Sequence, residues 1–304
     1  MIALLAPGQG SQTPGMLSPW LELPGATEQI AAWSQVSGLD LARLGSTATE
    51  EEITDTAVTQ PLVVAATLLA HAELTKRGLL SGHRENLIVA GHSVGEIAAY
   101  AIAGVLTPDD AVMLAATRGR EMAKACAVEP TGMSAVLGGD EAEVLARLEQ
   151  LDLVPANRNA VGQIVAAGPL TALDKLAEDP PAKARVRKLA TAGAFHTRFM
   201  APALDGYAAA AAGVSTQEPT ATLLSNFDGQ SLPSAAAAME QLVAQLTRPV
   251  RWDLCVETMR QRGVTAIVEF PPAGTLTGIA KRELRGVPTH AVKTPADLDG
   301  LQGL

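Results

Sequence analysis

A serine stands between two glycines in Gly91-His92-Ser93-Val94-Gly95, where an apolar run meets an alanine-rich stretch. Leu87–Ala90 suits a buried strand and the residues from Glu96 onward suit a helix, so the serine falls on the turn between them. A nucleophile elbow needs that strand–turn–helix setting, because the turn strains the serine backbone and lifts Oγ clear of the sheet. Glycines two before and two after let strand and helix approach closely. Ser93 is therefore the candidate nucleophile, and the plain alternative is an ordinary strand-to-helix turn. A serine hydroxyl is a weak nucleophile and needs a base. Of the five histidines, His71 falls within a predicted helix, His83 in a polar loop and His290 near the C-terminal end, while His92 on the elbow itself braces the turn. His196, in Gly193-Ala194-Phe195-His196-Thr197-Arg198, is the candidate general base and acid. No Asp or Glu stands out as its orienting partner, and a backbone carbonyl would serve without leaving a trace in the sequence.

Acyl transfer also needs donors for an oxyanion. The elbow supplies the N–H of Val94. A second donor is the N–H of Gln9 in Pro7-Gly8-Gln9-Gly10-Ser11-Gln12, where flanking glycines let the backbone come close; a plain glycine turn is the alternative. Arg118 brings a separate argument. Thr107-Pro108-Asp109-Asp110 reads as a helix start, with Thr at the N-cap, Pro first and Asp third. At about 100° per residue, Ala111, Ala115, Arg118 and Met122 share one narrow stripe, and Arg120 points roughly the opposite way. A guanidinium on a buried face needs an anion, and its fork matches a carboxylate through two parallel hydrogen bonds. Either an internal Asp or Glu supplies that anion, or an acyl substrate brings its own.

The elements that must position these residues alternate along the chain. Ile2–Ala6, Leu87–Ala90, Ala221–Leu224 and Ala266–Phe270 are nearly continuous apolar runs, as in strands of a parallel sheet buried on both faces. Helical patterns lie between them over Pro61–Arg77, Glu96–Gly104, Pro108–Ala125, Ala235–Leu246 and Trp252–Arg262, which predicts a three-layer α/β core. Ligands sit beyond the carboxyl ends of such strands, here Gly8-Gln9-Gly10, His92-Ser93, Ser225-Asn226 and Pro271-Pro272. The middle of the chain has the order β-α-β-β-α-β, the ferredoxin-like unit. The expected architecture is an α/β-hydrolase-like parallel-sheet core, residues 1–126 and 192–304, with a ferredoxin-like small subdomain inserted at 127–191.

The 304 residues suffice for a sizeable core, and 47% hydrophobic with 18% charged residues fits a globular chain. A net charge of −9 argues against general nucleic-acid binding. Cys126 and Cys255 stand far apart and form neither a metal-ligand cluster nor a disulfide framework, so the expectation is no metal and a cytoplasmic location. The N-terminus lacks a basic region and meets Pro7 too early for a signal peptide, and no run reaches the roughly 20 uninterrupted apolar residues of a membrane helix.

Gly91-His92-Ser93-Val94-Gly95-Glu96, Pro7–Gln12, Thr117-Arg118-Gly119 and Ala194-Phe195-His196 together resemble the malonyl-CoA:acyl carrier protein transacylase family. The resemblance runs through essentially the whole chain, including Asp55–Pro61, Asn157–Gln163, Pro249-Val250-Arg251-Trp252 and Leu276-Thr277-Gly278 with Lys281-Arg282. It implies that Ser93 takes malonyl from coenzyme A as an ester, with His196 as base and then acid, Gln9 and Val94 as the oxyanion hole and Arg118 on the malonyl carboxylate. His92 and Asn157 would line the pocket, and the backbone carbonyl of Arg251 would orient His196. The coenzyme A thioester is a substrate, no cofactor is bound permanently, and the acceptor is the phosphopantetheine thiol of acyl carrier protein in a ping-pong cycle feeding fatty-acid elongation. Phe195 accompanies malonyl rather than methylmalonyl selection in related synthase acyltransferases. The turn Glu269-Phe270-Pro271-Pro272-Ala273-Gly274 departs from the family's more glycine-rich form. Carrier proteins are acidic, so a local basic patch is expected at Lys183, Arg185, Arg187 and Lys188 and at Lys281, Arg282 and Arg285. The alternatives are a free-standing acyltransferase serving a polyketide synthase, an acyl hydrolase, which Arg118 argues against, and a non-catalytic carrier-binding subunit.

Overall fold

The structure is a computed structural model that describes Met1 to Leu304 apart from the side chains of Arg84 and Glu85. The described residues form ten strands: β1 Ile2–Ala6, β2 Leu87–Gly91, β3 Thr131–Gly138, β4 Val154–Ala160, β5 Gln163–Pro169, β6 Ala184–Lys188, β7 Thr222–Leu223, β8 Val250–Arg251, β9 Ala266–Glu269 and β10 Thr289–Ala291. Five make a parallel sheet in the order β10-β9-β1-β2-β7. Alternate residues feed separate cores, because successive side chains of a strand face opposite ways. Leu4, Val89 and Val268 pack with the helices Thr56–Lys76, Gly95–Ile102 and Pro108–Cys126, whereas Leu5, Ile88, Ala90 and Ile267 pack with Trp252–Gln261 and Thr275–Glu283. Helices on both faces explain why these strands read as unbroken apolar runs.

The second sheet has the order β6-β3-β5-β4-β8. Its first four strands are mutually antiparallel in ferredoxin-like order, with Glu141–Gln150 and Leu170–Glu178 covering one face around Val136, Leu148, Ile164 and Leu176. β8 comes from the far side of the sequence and pairs parallel with β4.

Two expectations change in detail. The long helix begins at Thr56 rather than Pro61, capped by Asp55 accepting from Ala57 N–H, so Pro61 lies inside it and Gln60 is helical. Its 21 residues are long and apolar enough to cross a bilayer, yet 72% of its most apolar window is buried within the fold. The edge strands are shorter or hidden: β7 keeps two residues, and β10, not foreseen, takes in His290.

Candidate active site

Ser93 stands two residues past the end of β2, at φ +54°, a left-handed conformation that a non-glycine residue adopts only when its surroundings impose it. The surroundings here are specific. Ser93 N–H donates to Asn226 Oδ1 at 2.8 Å, Asn226 Nδ2 donates to Gly91 O at 2.7 Å, and Gln245 Nε2 donates to Ser93 O at 3.2 Å. A Cβ on Gly91 would lie 2.0 Å from the backbone of Gly95, so strand and helix could not close the elbow around any larger residue.

Ser93 Oγ lies 2.7 Å from His196 Nε2. His196 is 2% exposed, and its Nδ1–H donates to the backbone carbonyl of Gln245 at 2.9 Å. That bond fixes the tautomer and leaves Nε2 as the acceptor facing the hydroxyl. The orienting carbonyl is therefore Gln245, not the expected Arg251. Arg251 is occupied in β8: its N–H donates to Asn226 O at 2.7 Å and its guanidinium forks onto Asp253 at 2.9 and 2.8 Å. Gln245 opens the short turn Gln245–Thr247 that ends the helix Ala235–Ala244, and the last carbonyls of a helix have no full complement of intrahelical partners. Burial, then the nearby Arg118 charge, pushes His196 from its ordinary 6.5 to about 3, so the imidazole rests neutral. Burial likewise lowers His92.

Arg118 lies on the apolar face of Pro108–Cys126 and is 1% exposed. It makes no ion pair among the described residues. Two carboxamide oxygens hold it instead: Nη1 donates to Gln60 Oε1 and Nη2 to Gln245 Oε1, each at 2.8 Å, and Nη2 lies 3.4 Å from Ser93 Oγ. The internal-carboxylate alternative is thus removed, and a fixed cation beside the nucleophile keeps its full demand for an anion. Glu96, 1% exposed, accepts from Asn226 N–H and Gln245 Nε2–H behind the elbow. Burial raises its carboxyl to about 8, against the pull of those donors and of Arg118.

A cavity of about 260 Å³ opens in front of Ser93. Gln9, Gln60, His92, Ser93, Arg118, Asn157, Phe195 and His196 all line it. The backbone N–H groups of Gln9 and Val94 donate to no acceptor among the described residues. His92 Nε2–H donates to Asn159 Oδ1 at 2.9 Å, which ties the elbow to β4. The unusual turn after β9 is braced from within: the buried Glu269 carboxylate accepts the N–H groups of Gly274, Leu276 and Thr277 and the Thr277 hydroxyl at 2.8–2.9 Å. It thereby seats the helix Thr275–Glu283, whose Thr275, Leu276 and Ile279 complete the wall. Of the four strand ends expected at the pocket, those after β1 and β2 line it, while Asn226 sits behind Ser93 as a brace.

Gln60, Gln245, Asn159 and Glu96 were given no role by sequence reasoning. Gln60 was read as preceding its helix and Gln245 as an ordinary helical position. For Gln245 the one available signal was an uncharged amide at the end of an otherwise alanine- and leucine-rich helical stretch.

The basic residues at 183, 185, 187, 188, 281, 282 and 285 are exposed. Arg187 pairs across from Ala135 and Arg185 from Leu137, which puts both on the cavity-facing side of the second sheet; Lys188, opposite Ser134, lies on the other side. Arg282 Nη2 donates to Gln163 Oε1 at 2.7 Å, at the cavity rim.

The acyl transferase domain family matches residues 4–296. The chain is 78% identical, over 304 residues covering 100% of both proteins, to the malonyl CoA-acyl carrier protein transacylase of Mycobacterium tuberculosis H37Rv. It superposes on the crystal structure of MCAT from Mycobacterium tuberculosis with a TM-score of 0.97, at 78% identity and covering 99% of each chain. A malonyl-transacylase solved in complex with a type II PKS acyl-carrier protein is similar too, with a TM-score of 0.92 at 31% identity, covering 99% of this chain and 98% of that one.

Proposed function

The chain belongs to the malonyl CoA-acyl carrier protein transacylases, and from that premise we propose how its residues move malonyl from coenzyme A to an acyl carrier protein. The observation that carries the reading is a buried arginine, held by neutral oxygens only, 3.4 Å from a serine hydroxyl that is itself 2.7 Å from a histidine nitrogen. In the first half-reaction Ser93 Oγ attacks the malonyl thioester carbonyl as its proton passes to His196 Nε2. The carbon–oxygen bond forms, and the oxygen takes up negative charge facing the N–H groups of Gln9 and Val94. The carbon–sulfur bond then breaks, and the imidazolium returns the proton to the departing thiol. The carrier's phosphopantetheine thiol reverses these steps, giving its proton to His196 and expelling Ser93.

Arg118 also tunes the base. Burial is the larger cause of the neutral His196 imidazole, and a unit charge about 6 Å away through a medium of effective dielectric near 20 adds roughly 3 kcal/mol from Arg118 in the same direction. A malonyl carboxylate on the guanidinium cancels that charge, and the imidazole then accepts the serine proton more readily. A neutral acyl group leaves Arg118 uncompensated and the base weak, so the same contact selects in binding and in rate.

Phe195 lines the cavity and is the residue we assign to the exclusion of methylmalonyl. For the carrier we propose Arg185, Arg187, Lys281, Arg282 and Arg285 as the docking patch around the cavity mouth, with Lys183 and Lys188 contributing long-range attraction. We treat residues 127–191 as the inserted small subdomain and the enzyme as cytoplasmic, in keeping with its two free cysteines. Fatty-acid elongation is the favoured destination of the malonyl group. Because a similar transacylase is described with a polyketide carrier, service to a polyketide synthase is the second reading.

Incubation with malonyl-CoA followed by intact-mass measurement tests the mechanism. We expect a malonyl adduct on the native chain, absent in Ser93→Ala, that discharges onto added carrier. The absence of both adduct and turnover would leave only a carrier-binding role. Transfer rates to fatty-acid and polyketide carriers, compared side by side, separate the two destinations.

A further inference from the structure

Glu96 lies three residues past the nucleophile, in the first turn of the elbow helix, yet its side chain turns into the protein interior. One oxygen accepts the Asn226 N–H and the other the Gln245 Nε2–H. Both partners then grip Ser93, Asn226 through the serine N–H and Gln245 through the serine carbonyl. Gln245 reaches further still: its Oε1 accepts from Arg118 and its backbone carbonyl from His196. Nucleophile, base and carboxylate anchor are therefore joined through one buried carboxyl group that touches none of the reacting atoms.

We propose that Glu96 is a positioning residue for malonyl transfer, fixing the Gln245 carboxamide so that its oxygen end meets Arg118. This rests on the reading that Arg118 holds the malonyl carboxylate.

The argument is one of donor and acceptor polarity. A carboxamide has an oxygen end and an NH2 end, and an ionised carboxylate only accepts. With one oxygen taken by the Asn226 N–H, Glu96 accepts from the NH2 end of Gln245 on the other, which delivers Oε1 to the guanidinium. A glutamine at position 96 would set an NH2 group against either the Asn226 N–H or the Gln245 NH2. Turning Gln245 relieves the clash only by aiming Nε2 at Arg118, where two donors would meet. The damage then falls on substrates that use Arg118. A residue that merely supported the fold would slow every acyl donor alike. Besides Arg118, the titratable groups facing Glu96 are Tyr100, one turn along the same helix, and Tyr207 and Cys255 from neighbouring elements, each of which burial keeps protonated.

The test is the rate constant for acylating Ser93 from malonyl-CoA divided by that from acetyl-CoA, read by rapid quench and intact mass. The assay is run at about pH 9, where the buried carboxyl is ionised. Glu96→Gln is expected to lower this ratio about 10- to 100-fold, the effect of losing a hydrogen bond to a charged group. Glu96→Asp keeps the charge and both acceptors and is expected to hold the ratio within about threefold, whatever its absolute rate. An equal loss on both thioesters in Glu96→Gln, or an unchanged ratio, overturns the proposal. If Glu96→Gln does not fold, Glu96→Asp decides alone: a ratio reduced tenfold or more refutes the role, and a retained ratio supports it. Arg118→Ala is measured alongside. If it too leaves the ratio unchanged, the fault lies with the Arg118 reading and not with Glu96.

Discussion

Gly8→Ala isolates the oxyanion hole from the rest of the machinery. Gly8 is buried at the end of β1, and its backbone is outside the left-handed region, so alanine meets no conformational penalty there. The obstacle is space. A Cβ would lie 2.7 Å from His92 O and 3.1 Å from His92 Nδ1, where ordinary contact begins at 3.4 Å. His92 cannot give way cheaply, because its carbonyl accepts Gly95 N–H within the elbow and its ring is tied to Asn159. The Gln9 loop must therefore retreat by about 0.7 Å, the shortfall between 2.7 and 3.4 Å, carrying the Gln9 N–H away from the oxyanion. Complete loss of one such donor costs roughly 10²–10³ in kcat, and a sub-ångström displacement places the expected loss at about 10- to 100-fold. The oxyanion is common to all acyl donors. Rapid-quench acylation of Ser93 should thus slow by one factor with malonyl-CoA and acetyl-CoA, with little change in KM. A folded Gly8→Ala enzyme with kcat within threefold of the parent would refute the assignment of Gln9, and so would a loss confined to malonyl-CoA.

Charge reversal at Arg187 and Arg282 together should raise KM for the carrier severalfold while leaving Ser93 loading from malonyl-CoA unchanged; an unaltered carrier KM would count against the patch. Phe195→Ser should admit methylmalonyl-CoA about tenfold better, since one methyl group in a tight pocket is worth that much, and equal constants for both thioesters in the native enzyme would remove its premise. His71 sits 5.8 Å from the Phe270 ring, and burial lowers it from 6.5 to about 4. The unfolded chain takes up this proton first, so stability is complete above pH 6.5 and is lost as pH falls toward 4, by about 3 kcal/mol in all. Urea titrations of His71→Leu at several pH values in that window should show a shallower decline than the parent, and parallel curves would contradict the burial argument.

The parts of the site that sequence revealed share a local signature. Ser93 was legible because its strand, turn and helix are contiguous, and Arg118 because helical periodicity alone puts it on an apolar face. His196 could be singled out only by its place beside the inserted unit. The Gln245 carbonyl was invisible, since every residue owns a carbonyl and only the fold brings this one to the histidine; attention went to Arg251, six residues on. Gln60 was lost through a helix boundary, because Pro61 read as a first-turn proline although the helix tolerates it one turn further in. In the fold, continuous apolar runs identified the central strands, while β10 at the edge, three residues that pair on one side only, carried no comparable pattern.

The two-residue strand β8 has a consequence for movement. It belongs in sequence to the segment leading into Trp252–Gln261, yet it hydrogen-bonds along β4, and its Arg251 N–H is anchored to Asn226 beneath the nucleophile. The wall bearing Asn157 and Asn159 is thus stitched to the floor bearing Ser93. Opening the cleft like a pair of jaws would tear that stitch together with the His92–Asn159 and Arg282–Gln163 bonds. Those ties set a cost on jaw-like opening, so thioester and carrier arm reach Ser93 most cheaply through the cavity mouth already present, and what fills that passage shields the ester from water.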